Sequence, residues 1–254
     1  MIGVTTVWHY LLDAPPLLPA LAVMHWGWRL AWALVLGAGA VWFAQVLGFK
    51  RWGRGRWAAL VLVVAVAAVM LSALWPGPAS PAYWLALAFQ SPSLVTALLC
   101  ARFLWSAAAT GLAAPMLEFV PAPVASTPTP MARWPDGAVR AGAGLGLVAC
   151  GTLLGWLLLG DTLAWWLPSV YAWGFAPLAL LTVLGMLFSL MWLGQRSAAL
   201  QRFGVLLALV LVLFVFTRLP SGNLWDALLD PWLWLLLQLA LLRDLWRRAQ
   251  LTGL

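Results

Sequence analysis

Residues 225–248 read WDALLDPWLWLLLQLALLRDLWRR. No charged side chain lies between Asp230 and Arg243. Tryptophan and aspartate stand at one end of this run, and arginine and tryptophan at the other. An uninterrupted apolar stretch of this kind is a candidate membrane helix. Tryptophan favours the headgroup level, and arginine collects on the cytoplasmic side of a bilayer. One short stretch therefore predicts a membrane span, its two boundaries and its direction.

The rest of the chain repeats the pattern. Of its 254 residues 65% are hydrophobic and 8% charged, mean hydropathy is +0.96, and there are 20 tryptophans. Such a composition excludes an ordinary soluble domain. Seven segments are apolar enough to span, at roughly 28–49, 57–75, 83–105, 140–160, 168–193, 203–218 and 228–245. The predicted fold class is an all-α polytopic membrane bundle of about seven helices.

Direction follows from the basic residues. In a seven-helix layout Lys50, Arg51, Arg54, Arg56, Arg133, Arg140, Arg196, Arg202, Arg243, Arg247 and Arg248 share one side. Asp13, Asp161, Asp226 and Asp230 share the other. The positive-inside rule then puts the N-terminus out and the C-terminus in. The net charge of +7 is assigned to this rule and not to nucleic acid, for which no motif and no basic amphipathic tail is read. Residues Met1 to Trp8 lack a basic n-region and a cleavage site, so the first span is expected to serve as the insertion signal. Cys100 and Cys150 lack metal or redox spacing and are expected to be buried small apolar residues.

As one membrane domain, 1–254 divides into an interfacial segment 1–27 on the outer side, a first three-helix half 28–105, a cytoplasmic Pro-rich linker 106–139, a linking helix 140–160 and a second half 161–254. Pro121 to Pro130 is the Pro/Thr/Ala core of the linker. Trp8, Tyr10, Trp26 and Trp28 suit a headgroup layer.

The third and seventh segments match at one constant offset. Trp84 pairs with Trp225, Arg102 with Arg243 and Trp105 with Trp246. A real duplication gives two parallel three-helix repeats joined by a fourth helix, the repeat logic of some small carriers. Convergence is the competing explanation, since every span needs Trp and Arg at its ends. The 3+1+3 layout resembles that of SWEET-type sugar carriers in topology alone. Their characteristic Pro-Gln and Asn signatures are absent, and no residue is carried over.

Candidate functional residues are few. His9 and His25 are the two histidines. On the outer side with them fall Trp165, Trp166, Trp173 and the Trp225–Trp234 stretch. This grouping resembles, over a few residues, the Trp-rich, Asp-containing segment of haem-handling cytochrome c maturation proteins. That resemblance implies haem near His9 and His25. In those proteins the Trp-Asp segment lies mid-chain between histidine-bearing loops; here it opens the last helix. The competing expectation is an aromatic belt, no cofactor, and Asp226 as a favourable charge at a helix start.

Arg102 is the most membrane-embedded charge, and snorkelling to headgroups or pairing with Glu118 accounts for it. Arg218, Asp226 and Asp230 are expected as an outer-face ion cluster of small energetic weight. Gln45, Gln90, Thr96, Thr152, Thr182, Ser189 and Gln238 are uncharged polar residues suited to interhelical hydrogen bonds. No acidic residue reads as mid-span, which argues against ion-coupled transport. Metal-ligand spacing, HExxH, GxSxG and P-loop motifs are absent, which lowers the expectation of an enzyme without closing it.

The first functional expectation is a non-catalytic subunit or assembly factor of a multi-subunit complex in a bacterial inner membrane, with lipid and other membrane subunits as partners. The second is a small-molecule carrier built from two three-helix repeats. The third is haem handling at the outer face.

Overall fold

The computed structural model describes residues 15–48, 54–73, 77–110, 134–165, 169–195 and 198–252. The described elements are helical: α1 Leu21–Val46, α2 Arg54–Ala73, a 3-10 turn Gly77–Ala79, α3 Pro81–Phe89, α4 Leu94–Thr110, α5 Trp134–Thr162, α6 Val170–Trp173, α7 Pro177–Gly194, α8 Ala198–Thr217, α9 Leu224–Leu228 and α10 Pro231–Thr252. Among the described residues, four helical stretches are long and apolar enough to cross a membrane: Leu21–Val46, Leu145–Thr162, Pro177–Gly194 and Leu200–Thr217. Arg56–Ser72 and Leu94–Ala109 are shorter apolar helices. The chain is thus an all-α, multi-pass membrane helix protein.

Several helices differ from the sequence expectation, each for a local reason. α1 begins at Leu21, not at 28, because Pro19 is the last residue that bars a helix. It ends where Gly48 takes the left-handed conformation, φ 86°, that favours glycine past a helix end. The expected span 83–105 is two helices, α3 and α4, parted at Gln90-Ser91-Pro92-Ser93. Pro92 removes a backbone donor and steers Ser91 away from helical geometry. Ser93 restarts the helix, its Oγ accepting the Thr96 N–H at 3.1 Å. The expected span 168–193 is likewise α6 and α7, restarted at Pro177 in the first helical turn. The last helix runs on to Thr252, beyond the expected end near 245.

The chain divides into two compact units. One comprises Leu17–Met116 and Val212–Asp230. Its core is Ala38 and Val41 of α1, Trp57 and Val61 of α2, and Cys100, Phe103, Leu104 and Ala107 of α4. Gly37 lies where α1, α2 and α4 meet: a Cβ there would lie 3.6 Å from both Ala68 Cβ and Leu104 Cδ1. Small residues at such crossings let membrane helices approach for dispersion contact. Trp32 and Trp57 are buried here, so these two tryptophans fill a core and do not mark a headgroup boundary. Burial depends on which helix face meets a neighbour, which composition alone does not specify.

The other unit comprises Met1–Pro16, Leu117–Leu211 and Pro231–Leu254. In it α5 packs on α10. Gly151 and Gly155 present a bare surface to Leu237 and Trp234; a Cβ at Gly155 would clash with the Trp234 indole. That indole donates to Thr152 O at 3.1 Å and meets Trp156 edge-on, centroids 5.2 Å apart. α7 and α8 approach at Gly194, beside the Gln201 backbone, and at Gly204, beside Met191. Cys150 is exposed on α5, against the expectation of burial; an apolar solvent of lipid chains asks no burial of a thiol.

Candidate functional site

In the unit formed by Leu17–Met116 and Val212–Asp230, polar groups gather where two interrupted helices meet. Asp230 ends the short gap between α9 and α10 and is only 6% exposed. One of its oxygens, Oδ2, accepts the Ser93 N–H at 2.9 Å, the Ser93 hydroxyl at 2.7 Å and the Thr96 hydroxyl. All three donors sit in the first turn of α4. The arrangement places negative charge at the positive end of that helix. It also satisfies donors that the break at Pro92 leaves without intrahelical partners. Charge-assisted hydrogen bonds are stronger than neutral ones, and more so where water is excluded.

The loop before α9 is wired as tightly. Arg218 has a left-handed backbone, φ 55°, and its guanidinium lies 5.2 Å from the Phe214 ring centroid. Gly222, φ 86°, donates to Arg218 O at 2.7 Å. A Cβ on Gly222 would lie 2.7 Å from Leu17 O, so only glycine fits. The buried Asn223 side chain caps α9 by accepting the Trp225 N–H at 2.9 Å. Asp226 accepts the Ser221 hydroxyl. Trp28 of α1 reaches the loop and donates to Pro220 O at 3.0 Å. At the residue before Trp28, the α1 backbone of Gly27 sits against Leu219.

The second interrupted helix adds strain. Gln90 has φ 62° and ψ −179°, a backbone region populated almost solely by glycine. Such outliers persist where surrounding structure over-determines them, and they cluster at ligand sites and switches. Among the described residues of this unit, the buried donors Trp32 Nε1, Trp57 Nε1, Ser72 Oγ and Ser80 Oγ have no hydrogen-bond partner.

The residues singled out from sequence fall as follows. Arg218, Asp226 and Asp230 all lie in this region, but they serve different centres. Arg218 stacks on Phe214, Asp226 holds Ser221, and Asp230 turns to α4. An exposed outer-face cluster is not what Asp230 joins, since it is buried. Gln90 is exposed at the α3–α4 break. Arg102 is exposed on α4 beside the buried Phe103 and Leu104. Gln45 and Gln238 are partly buried on α1 and α10. His25 is exposed near the start of α1, its ring edge-on to Trp26 at 6.3 Å. His9, Asp13, Glu118, Arg133, Trp166, Arg196 and most of the Pro-rich linker lie outside the described residues. Sequence reasoning passed over Ser93, Ser221 and Asn223 as functional residues. The signals were present: Ser93 and Thr96 directly after Pro92 spell a capped helix start, as Asn223 before Leu-Trp-Asp does.

No protein-family model matches the chain, and no curated protein or solved structure matches it.

Proposed function

We propose that this chain is a membrane-embedded carrier of lipophilic or weakly polar small molecules, working at the junction of Asp230 with Ser93 and Thr96. The observation that carries the reading is the buried carboxylate of one interrupted helix seated on the first turn of another. Discontinuous membrane helices place half-helix ends and freed backbone groups inside the bilayer, where carriers bind their cargo. Arg102, three residues before Trp105, suits the inner boundary. A rise of about 1.5 Å per residue then sets Ser93 roughly 14 Å above it, near the middle of a hydrocarbon core of about 30 Å. A carboxylate at that depth is costly and is retained where it performs work. The scarcity of polar side chains along the helices limits the cargo to compounds that need few hydrogen bonds. The proposal includes seven spans, the N-out, C-in orientation and a bacterial inner membrane, with Asp230 inside the last span and not on the outer side.

A second reading, an accessory subunit or assembly factor, draws on a different observation. α7 exposes Leu181, Leu184, Phe188, Met191 and Trp192, an apolar surface fit for lipid or for a neighbouring subunit.

Affinity purification from native membranes in mild detergent separates the two. The carrier reading expects recovery alone, as a monomer or homo-oligomer. A stoichiometric set of membrane proteins that survives dilution would replace it with the subunit reading. Uptake by proteoliposomes, abolished in D230N, then tests the site itself.

A further inference from the structure

Successive residues of an α-helix turn by about 100°. On α10 this puts Trp232, Leu235, Leu239, Leu242 and Trp246 on one stripe, and all five are exposed. The opposite face carries the buried Leu233 and Ala240, with Leu237 and Leu241 packed against the Val148–Ala240 cluster on α5. The apolar run ends near 245, but the helix continues to Thr252. Arg243 and Arg247 are neighbours one turn apart on the edge of the apolar stripe, and both are exposed. Arg243 is held by Asp244 at 3.6 Å. Arg248 lies about 100° further round the helix, away from the stripe.

We infer that this segment is a binding site for an anionic phospholipid. Its acyl chains lie along Leu235, Leu239, Leu242 and Trp246, and its phosphate meets Arg243 and Arg247. The geometry fits each part of the ligand. The stripe is long and apolar where chains need dispersion contact, and it is 70% exposed at Trp246, an indole suited to the headgroup level. The guanidinium pair stands at the end of the stripe, where the hydrocarbon stops. Two arginines one helical turn apart converge on one phosphate through charge-assisted hydrogen bonds. A zwitterionic lipid offers the same phosphate beside a cation that repels the pair, so the site selects net negative headgroups. The inference depends on α10 spanning the bilayer and not on the carrier reading.

The test is native mass spectrometry of the full-length protein in mild detergent, titrated with phosphatidylglycerol and, separately, with phosphatidylcholine. The expected result is retention of phosphatidylglycerol over phosphatidylcholine by wild type, lost roughly tenfold in R243Q/R247Q. R202Q, on α8, is expected to retain it as wild type does. The single variants R243Q and R247Q, each with a partial loss, serve if the double variant is not monodisperse. Unchanged phosphatidylglycerol retention in R243Q/R247Q, an equal loss in R202Q, or equal retention of the two lipids by wild type overturns the inference. So does a protein partner that leaves in R243Q/R247Q while the lipid stays.

Discussion

Asp230 Oδ2 accepts the backbone N–H of Ser93 at 2.9 Å, joining positions 137 apart in the chain. This bond ties the gap between α9 and α10 to the start of α4. Three donors share that oxygen, so the carboxylate is both a cap for one helix and an anchor for the other. Replacing Asp230 by Ala leaves the buried Ser93 N–H unmatched and removes the charged acceptor of the Ser93 and Thr96 hydroxyls, which as donors keep only their mutual bond at 3.0 Å. The expected cost is about 2–3 kcal/mol, read as a fall in melting temperature in detergent. D230N keeps an acceptor but loses the charge, and is expected to cost less. Equal melting of D230A and wild type would remove the anchor role.

Gln90 predicts a change in the opposite direction. Its φ of 62° with ψ of −179° is strained for any side chain. Q90G relieves strain of about 1–3 kcal/mol and gives part of it back as unfolded-chain entropy. A net gain of about 1 kcal/mol is expected in Q90G and none in Q90A, since alanine keeps a Cβ. Under the carrier reading the strained break has a function, so Q90G is expected to melt higher and transport less. A Q90G protein that melts below wild type would contradict the strain argument.

Gly222 and Gly27 rank differently although both are crowded. At Gly222 a Cβ meets the Leu17 carbonyl oxygen and the backbone has φ 86°, so neither neighbour nor backbone can adapt. At Gly27 it meets the tip of the Leu219 side chain at 2.5 Å, which can rotate aside. G222A is therefore expected to lose about 2 kcal/mol or more, and G27A about 1 kcal/mol. Chemical denaturation of the two variants side by side checks the order; the reverse ranking would mean the loop is not held as described.

The α5–α10 contact rests on Gly155 and Trp234. G155L drives the indole away and breaks its bond to Thr152 O, at an expected cost of about 1–3 kcal/mol. G146A, with open space around its Cβ on the same helix, is expected to be neutral or slightly stabilising. Hydrogen exchange of α10 amides reads both: faster exchange in G155L, none in G146A.

Orientation is tested by reporters. A periplasmic reporter fused after Asp161 is expected to be active, and one fused after Arg196 silent. The reversed pattern would turn the proposed carrier around in the membrane and exchange the sides assigned to Asp226 and Arg243.

Much of this architecture is legible in residue order. The membrane class follows from a chain too apolar to dissolve, because hydrocarbon asks for side chains without charge along a whole helix. Helix ends are legible where the chemistry is local: Pro19 before α1, Pro92 and Ser93 before α4, Asn223 before α9. Reading 83–105 as one span missed the break because hydropathy averages over a proline that membrane helices often tolerate. That Trp32 and Trp57 are buried was not legible, because composition does not say which face a residue occupies. The partner of Asp230 had no local signature at all. Nothing near Asp230 in the chain resembles Ser93 or Thr96, and only the packing of α9 on α4 brings them together. Sequence alone determined that helices form and where most of them start, since propensity, capping and apolar transfer act over a few residues. Tertiary structure alone decided which buried carboxylate meets which helix end, since that choice is made by contacts between segments far apart in the chain.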